Sequence, residues 1–198
     1  MFVKVCGLST PESVSQAVDA GADAVGFVLT KSPREVAPEQ VRVFLPLIPE
    51  TVKAVAVFRD ESAEQAVAIA KEAGVEWVQL HGHRSAHDVT TVHDAGMRLI
   101  RAVTMGASQD EFGDLGEDLF LIDAAVPGSG EAWDYASVQA LGLDGRQWLL
   151  AGGLEPGNVA FAAAAAGAWG VDVSSGVEES RGVKDLAKIQ AFVEAAKA

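Results

Sequence analysis

Cys6 closes the short run Val3-Lys4-Val5, and Asp123 closes the apolar run Leu119-Phe120-Leu121-Ile122. A thiol and a carboxyl in such places suit a general base and a general acid. The thiol is a useful base at neutral pH only if its pKa falls from about 8.5. The carboxyl must lose solvent and shift upward before it can donate a proton there. Each residue also has a plainer reading. A lone cysteine is often a small buried hydrophobe, and an aspartate at a strand end can cap the next loop.

Other chemistry is grouped in short polar segments. Lys31-Ser32-Pro33-Arg34 places an arginine after a proline turn, and its planar fork suits a carboxylate partner. The alternative is an ordinary surface arginine. Gln79-Leu80-His81-Gly82 offers an amide and an imidazole, for catalysis or simply for a hydrogen-bonded turn. Gly152-Gly153 and Asp172-Val173-Ser174-Ser175-Gly176 could hold an anion, because glycines bring backbone N–H groups close to a ligand. They could equally make a tight turn and a polar cap. His81 and His83 make a weak metal pair with no third ligand at suitable spacing, and His87 and His93 read as solvated.

The elements that must position these groups alternate without a linker. Strands are expected over residues 3–6, 23–29, 52–58, 77–80, 98–103, 119–123, 148–151 and 169–173. Helices are expected over 11–20, 38–45, 62–73, 86–95, 135–141, 156–166 and 183–196, with a weaker helical stretch at 108–112. Gly21 and Gly74 supply the positive φ at which helices stop, while Pro11, Pro38 and Pro156 mark starts. The run Ala54-Val55-Ala56-Val57-Phe58 lacks alternating polarity, as in strands covered on both faces. Eight βα units fill 198 residues and favour one closed (β/α)8 TIM barrel over an open doubly wound sheet. Cys6-Gly7-Leu8-Ser9 is no dinucleotide fingerprint. In such a barrel the six polar segments share the C-terminal rim, and the loops after strands seven and eight commonly hold phosphate.

Composition excludes several classes. Twenty-eight acidic residues against 15 basic ones give a charge of −13, which repels nucleic acid at long range. A single cysteine rules out intramolecular disulfides. No apolar run approaches the ~20 residues of a membrane span. Met1-Phe2-Val3-Lys4-Val5 lacks the features of a secretion signal, so a cytoplasmic location is expected.

Lys4-Val5-Cys6-Gly7-Leu8 resembles the opening signature of the phosphoribosylanthranilate isomerases. Gly21 to Phe27, Lys31 to Arg34, Val78 to Gly82, Asp123, Gly128-Ser129-Gly130 and Trp133-Asp134-Tyr135 continue the likeness. Ala151 to Leu154, Asn158-Val159, Val171 to Glu178 and Lys184-Asp185 carry it through the last helix. The resemblance implies a barrel isomerase of tryptophan biosynthesis, acting on N-(5-phosphoribosyl)anthranilate by an Amadori rearrangement. No metal and no organic cofactor is implied, and the partner is a small phosphosugar met by a monomer or a homodimer. Carried over, Asp123 is the acid that opens the furanose ring and Cys6 the base that takes the C2 proton. Arg34 holds the anthranilate carboxylate. Gln79, His81, Gly152, Gly153, Asp172, Ser174, Ser175 and Gly176 contact substrate, the loops after strands seven and eight taking its phosphate. Glu35 stands where the family usually has an aromatic residue and would place a carboxylate beside Arg34. A dual-substrate relative would carry an aspartate at the end of strand one, where this chain has cysteine. A phosphate-binding scaffold would have lost Cys6 or Asp123.

Overall fold

All five residues of the second strand, Ala24–Val28, are buried, as parallel strands covered on both faces require. In the computed structural model, which describes residues 1–124, 133–143 and 145–198, eight parallel strands close a barrel in chain order. They are β1 (Phe2–Cys6), β2 (Ala24–Val28), β3 (Lys53–Phe58), β4 (Trp77–His81), β5 (Arg98–Thr104), β6 (Leu119–Asp123), β7 (Trp148–Leu150) and β8 (Gly170–Val173). β1 pairs with β8 through Phe2 to Val5, closing the sheet.

Alternation along each strand sorts side chains into two cores. Cys6, Val55, Val57, Ile100, Ala102, Leu119, Leu121 and Leu149 pack together inside the barrel. Val3, Val5, Phe27, Phe58, Leu99 and Ile122 point outward and pack with the helices. Lys4, Gln79 and Asp172 are inward positions and polar, and all three are buried. The barrel bottom is plugged by aromatic rings, with Phe2 stacked on Trp169 at 5.0 Å.

The helices are α1 (Pro11–Asp19), α2 (Pro38–Phe44), α3 (Ala63–Ala73), α4 (Ala86–Asp94), α5 (Val159–Ala166) and α6 (Leu186–Lys197). Thr10, Ser62 and Ser85 cap α1, α3 and α4 by accepting a backbone N–H three residues on. Such a cap contributes about 1 kcal/mol. Gly74 ends α3 in the left-handed region at φ 77°.

Four expectations need correction. The helix expected over 135–141 is a 3-10 helix, Tyr135–Leu141. Its core-facing residues Tyr135, Val138 and Leu141 recur every three positions, the period of that helix. After β5 the chain makes only a four-residue 3-10 turn, Gln109–Phe112. Beside it the buried Arg101 and the Arg146 guanidinium lie over the Phe120 ring, at 4.7 and 4.4 Å. Glu117 pairs with both, at 2.8 and 2.5 Å. Further, residues 183–184 are not helical. Val183–Lys184 forms strand β10, antiparallel to β9 (Glu178–Ser180), and α6 starts only at Leu186 behind its cap Asp185. Pro156 likewise lies before α5, which begins at Val159. Among the described residues, no helix is long and apolar enough to cross a membrane.

Candidate active site

The C-terminal ends of the strands bring most of the expected residues around one cavity. Cys6, Arg34, Gln79, His81, Asp123, Asp172 and Ser174 line it, together with Lys31 and Arg59. An adjoining cavity is lined by Asp123, Gly152, Gly153, Asp172, Ser174 and Ser175. Asp123, Asp172 and Ser174 thus border both, and a molecule with a reactive centre and an anionic tail could occupy the two together. Gly176 sits behind the second cavity, against the Leu154 carbonyl. The expected loop Gly128-Ser129-Gly130 lies outside the described residues.

Asp123 is almost fully buried, and one carboxylate oxygen accepts the Ala124 N–H at 2.8 Å. Burial pushes its pKa up to about 6; the Ala124 N–H opposes this, and the Asp172 carboxylate adds to it. The local backbone explains the glycine opposite. A Cβ on Gly152 would lie 2.6 Å from the Ala124 nitrogen and 2.9 Å from the Asp123 carboxylate, and its φ is +83°. Only glycine tolerates both demands.

Cys6 is buried at the end of β1, and burial pushes its thiol up from the ordinary value. The Lys4 ammonium opposes that shift. Lys4 lies two residues earlier on the same inward face, fully buried, and donates to Asp172 at 2.9 Å.

Arg34 is not free. Its Nε and one terminal nitrogen donate to the two oxygens of Glu178, at 2.5 and 3.0 Å. Lys184 donates to the same carboxylate at 3.1 Å and to the Ser174 carbonyl at 2.7 Å. Burial alone would raise the Glu178 carboxyl, but Arg34 and Lys184 hold it below the usual carboxylate range. The carboxylate beside Arg34 is therefore Glu178 from the β9–β10 hairpin, while Glu35 is exposed.

His81 is held neutral, its pKa pulled down to about 4 by burial and by the charges of Lys4, Arg84 and Arg59. Its Nε2 lies 2.8 Å from the Gln79 amide nitrogen, a donor, so that ring nitrogen accepts. The Gln79 amide oxygen is buried without a partner. Among the described residues, no three His, Cys, Asp or Glu side chains gather as a metal site would require.

Lys4, Glu178 and Lys184 were absent from the residues singled out for chemistry. Lys4 was detectable, since period-two alternation places Lys4 and Cys6 on one face of β1. Glu178 and Lys184 had no comparable local signal.

Residues 3–195 match the family model of N-(5'phosphoribosyl)anthranilate (PRA) isomerase. The chain belongs to that family. It is 39% identical to N-(5'-phosphoribosyl)anthranilate isomerase of Streptococcus mutans, over 98% of each chain. The solved phosphoribosyl anthranilate isomerase of Thermus thermophilus has the same fold, with TM-score 0.90, 34% identity and 98% of each chain covered. Another isomerase structure is similar at TM-score 0.86 and 32% identity, covering 100% of this chain and 98% of its own. That protein was solved in complex with reduced 1-(o-carboxyphenylamino)-1-deoxyribulose 5-phosphate. This member of the PRA isomerase family has a thiol and a carboxyl facing one cavity beside a glycine- and serine-lined one.

Proposed function

We propose that this chain isomerises N-(5'-phosphoribosyl)anthranilate to 1-(2-carboxyphenylamino)-1-deoxyribulose 5-phosphate. The observation that carries the reading is the pairing of Asp123 and Cys6 on one cavity, with the carboxyl raised to about 6. Asp123 protonates the furanose ring oxygen as the C1–O bond breaks, and the ring opens to a Schiff base. Cys6, as thiolate, then takes the proton from C2. The C2–H electron pair moves toward the imine nitrogen, giving an enolamine that tautomerises to the ketone. The imine acidifies C2–H, so a thiolate suffices as base.

The phosphate is assigned to the cavity of Gly152, Gly153, Ser174, Ser175 and the turn at Gly176. Asp172 and the unpartnered Gln79 amide oxygen face the sugar, where hydroxyl donors would satisfy them. His81, being neutral, holds Gln79 in place through its ring nitrogen. Arg34 receives the anthranilate carboxylate on the edge of its guanidinium that Glu178 leaves open. Both a monomer and a homodimer accommodate the reading. Cytoplasmic work is part of the proposal, since a reducing compartment keeps the lone thiol of Cys6 free.

A steady-state assay with substrate generated in situ, read by loss of anthranilate-type fluorescence in the presence of EDTA, tests the activity. Turnover is expected to survive the chelator; a folded protein that fails to turn over the substrate would overturn the reading. Arg34→Lys keeps the charge and loses the fork. It is expected to raise KM about tenfold or more, the worth of one charge-assisted hydrogen bond, with a smaller effect on kcat. An unchanged KM would remove Arg34 from the carboxylate site.

A further inference from the structure

The geometry points to Lys4 as a positioning residue for Cys6: its buried ammonium, anchored on Asp172, holds the thiolate form of the base in place beneath the cavity. This rests on the proposed role of Cys6. Lys4 has no exposed surface, and its ammonium donates to Asp172 at 2.9 Å. Packing gives no reason for it, because well-packed apolar residues often replace a buried ion pair without loss of stability.

The neighbouring strand is shaped around these two side chains. A Cβ on Gly26 of β2 would lie 2.9 Å from the Cys6 sulfur and 3.2 Å from the Lys4 nitrogen. Sulfur and ammonium therefore border the same small space, which the absent side chain leaves open. The charged groups facing the sulfur come from every side. Lys4 and Asp172 lie beneath it, Lys184 and Arg34 beside it, and Asp123 and neutral His81 border the same cavity. Lys184 and Arg34 are both committed to Glu178, which offsets one of their two charges. Lys4 pairs with Asp172 and also acts on Asp123, and it is the cation that shares with the sulfur the space beside Gly26.

The two partners act on the sulfur with opposite sign, and this makes the assignment testable apart from catalysis. The chain has one cysteine, so alkylation by iodoacetamide, read by intact mass across a pH series, reports Cys6 alone. In Lys4→Met the labelling midpoint is expected to rise by about one to three pH units, the effect of removing an adjacent opposite charge. In Asp172→Asn it is expected to fall, because the carboxylate that opposes the thiolate is gone. Structural loosening would move both midpoints the same way, toward that of a free thiol. A Lys4→Met midpoint that stays or falls overturns the proposal. Should Lys4→Met fail to fold by circular dichroism, Lys4→Gln takes its place under the same criterion: a higher midpoint supports the role, and an unchanged or lower one overturns it. The higher-pH limb of the kcat/KM profile of Lys4→Met should move alkaline with the labelling midpoint. Near-normal turnover in Cys6→Ala would sink the base assignment instead, leaving the labelling result to judge Lys4 by itself.

Discussion

Asp123→Asn is expected to lower turnover by about 10²–10⁴-fold, the usual contribution of a well-placed acid, and to make the folded protein more stable at neutral pH. Both effects come from burial. With the pKa at about 6 in the folded chain, the carboxyl keeps its proton over a range where the unfolded chain has lost it. Below about pH 4 both states are protonated and Asp123 imposes no penalty. Between about pH 4 and 6 the unfolded chain is ionised while the folded chain keeps its proton, so stability falls; above 6 both are ionised and the full penalty of the desolvated carboxylate remains. A shift of this size corresponds to about 2–3 kcal/mol at pH 8. Asparagine never ionises and can still accept the Ala124 N–H, so it escapes that penalty. Thermal unfolding should therefore show equal Tm values for the two proteins near pH 4 and a higher Tm for the variant at pH 8. Equal values throughout would mean that Asp123 is not desolvated. The variant should also lose the limb near pH 6 from its kcat/KM profile. If Cys6 titrates above its ordinary value in the free enzyme, few molecules hold thiolate and protonated acid together, and the pH optimum falls between the two.

Gly176→Ala is the second change with a large expected effect. A Cβ there would lie 1.8 Å from the Leu154 carbonyl oxygen and 3.1 Å from the Glu155 Cα. Both obstacles are backbone, so no rotamer change relieves them. The loop after β8 must move away from the loop after β7, and the cavity between them, proposed to take the phosphate, opens. Overpacking of this kind costs roughly 1–3 kcal/mol or more. The loss of even one phosphate hydrogen bond should raise KM about tenfold or more. The expected result is a lowered Tm with a KM effect exceeding the kcat effect. Normal KM and Tm would show that the loops do not meet as described. Gly153→Ala tests the left-handed backbone instead, since Gly153 has φ +66°.

The residues readable from the chain alone share one property: their roles depend on neighbours in sequence. Cys6 and Asp123 each end a strand, and a parallel barrel presents all such ends on one rim. Gly74 follows a helix whose last turn needs a left-handed residue, and Thr10, Ser62 and Ser85 precede helices whose first N–H groups need acceptors. Period two would place Lys4 on the face of Cys6 as well, although Lys4 is not among the residues expected to do chemistry. Helix type was less legible. The stretch Tyr135–Leu141 has helical composition, yet its three core residues favour the tighter 3-10 winding.

What only the tertiary structure decided involves partners far apart in the chain. Arg34 is held by Glu178, 144 residues away, whereas the sequence offers only the adjacent Glu35 as a carboxylate beside it. Lys4 reaches Asp172 across 168 residues because β1 and β8 are adjacent when the barrel closes. Gly176 is required by a carbonyl of another loop, which no reading of its own segment reveals. Local rules carry the order of strands, the caps and the rim positions, because backbone geometry and side-chain period act over a few residues. Charge pairing, desolvation and close backbone approach act through space. They set how far Asp123 is raised, what Arg34 is paired with and what lies beneath Cys6.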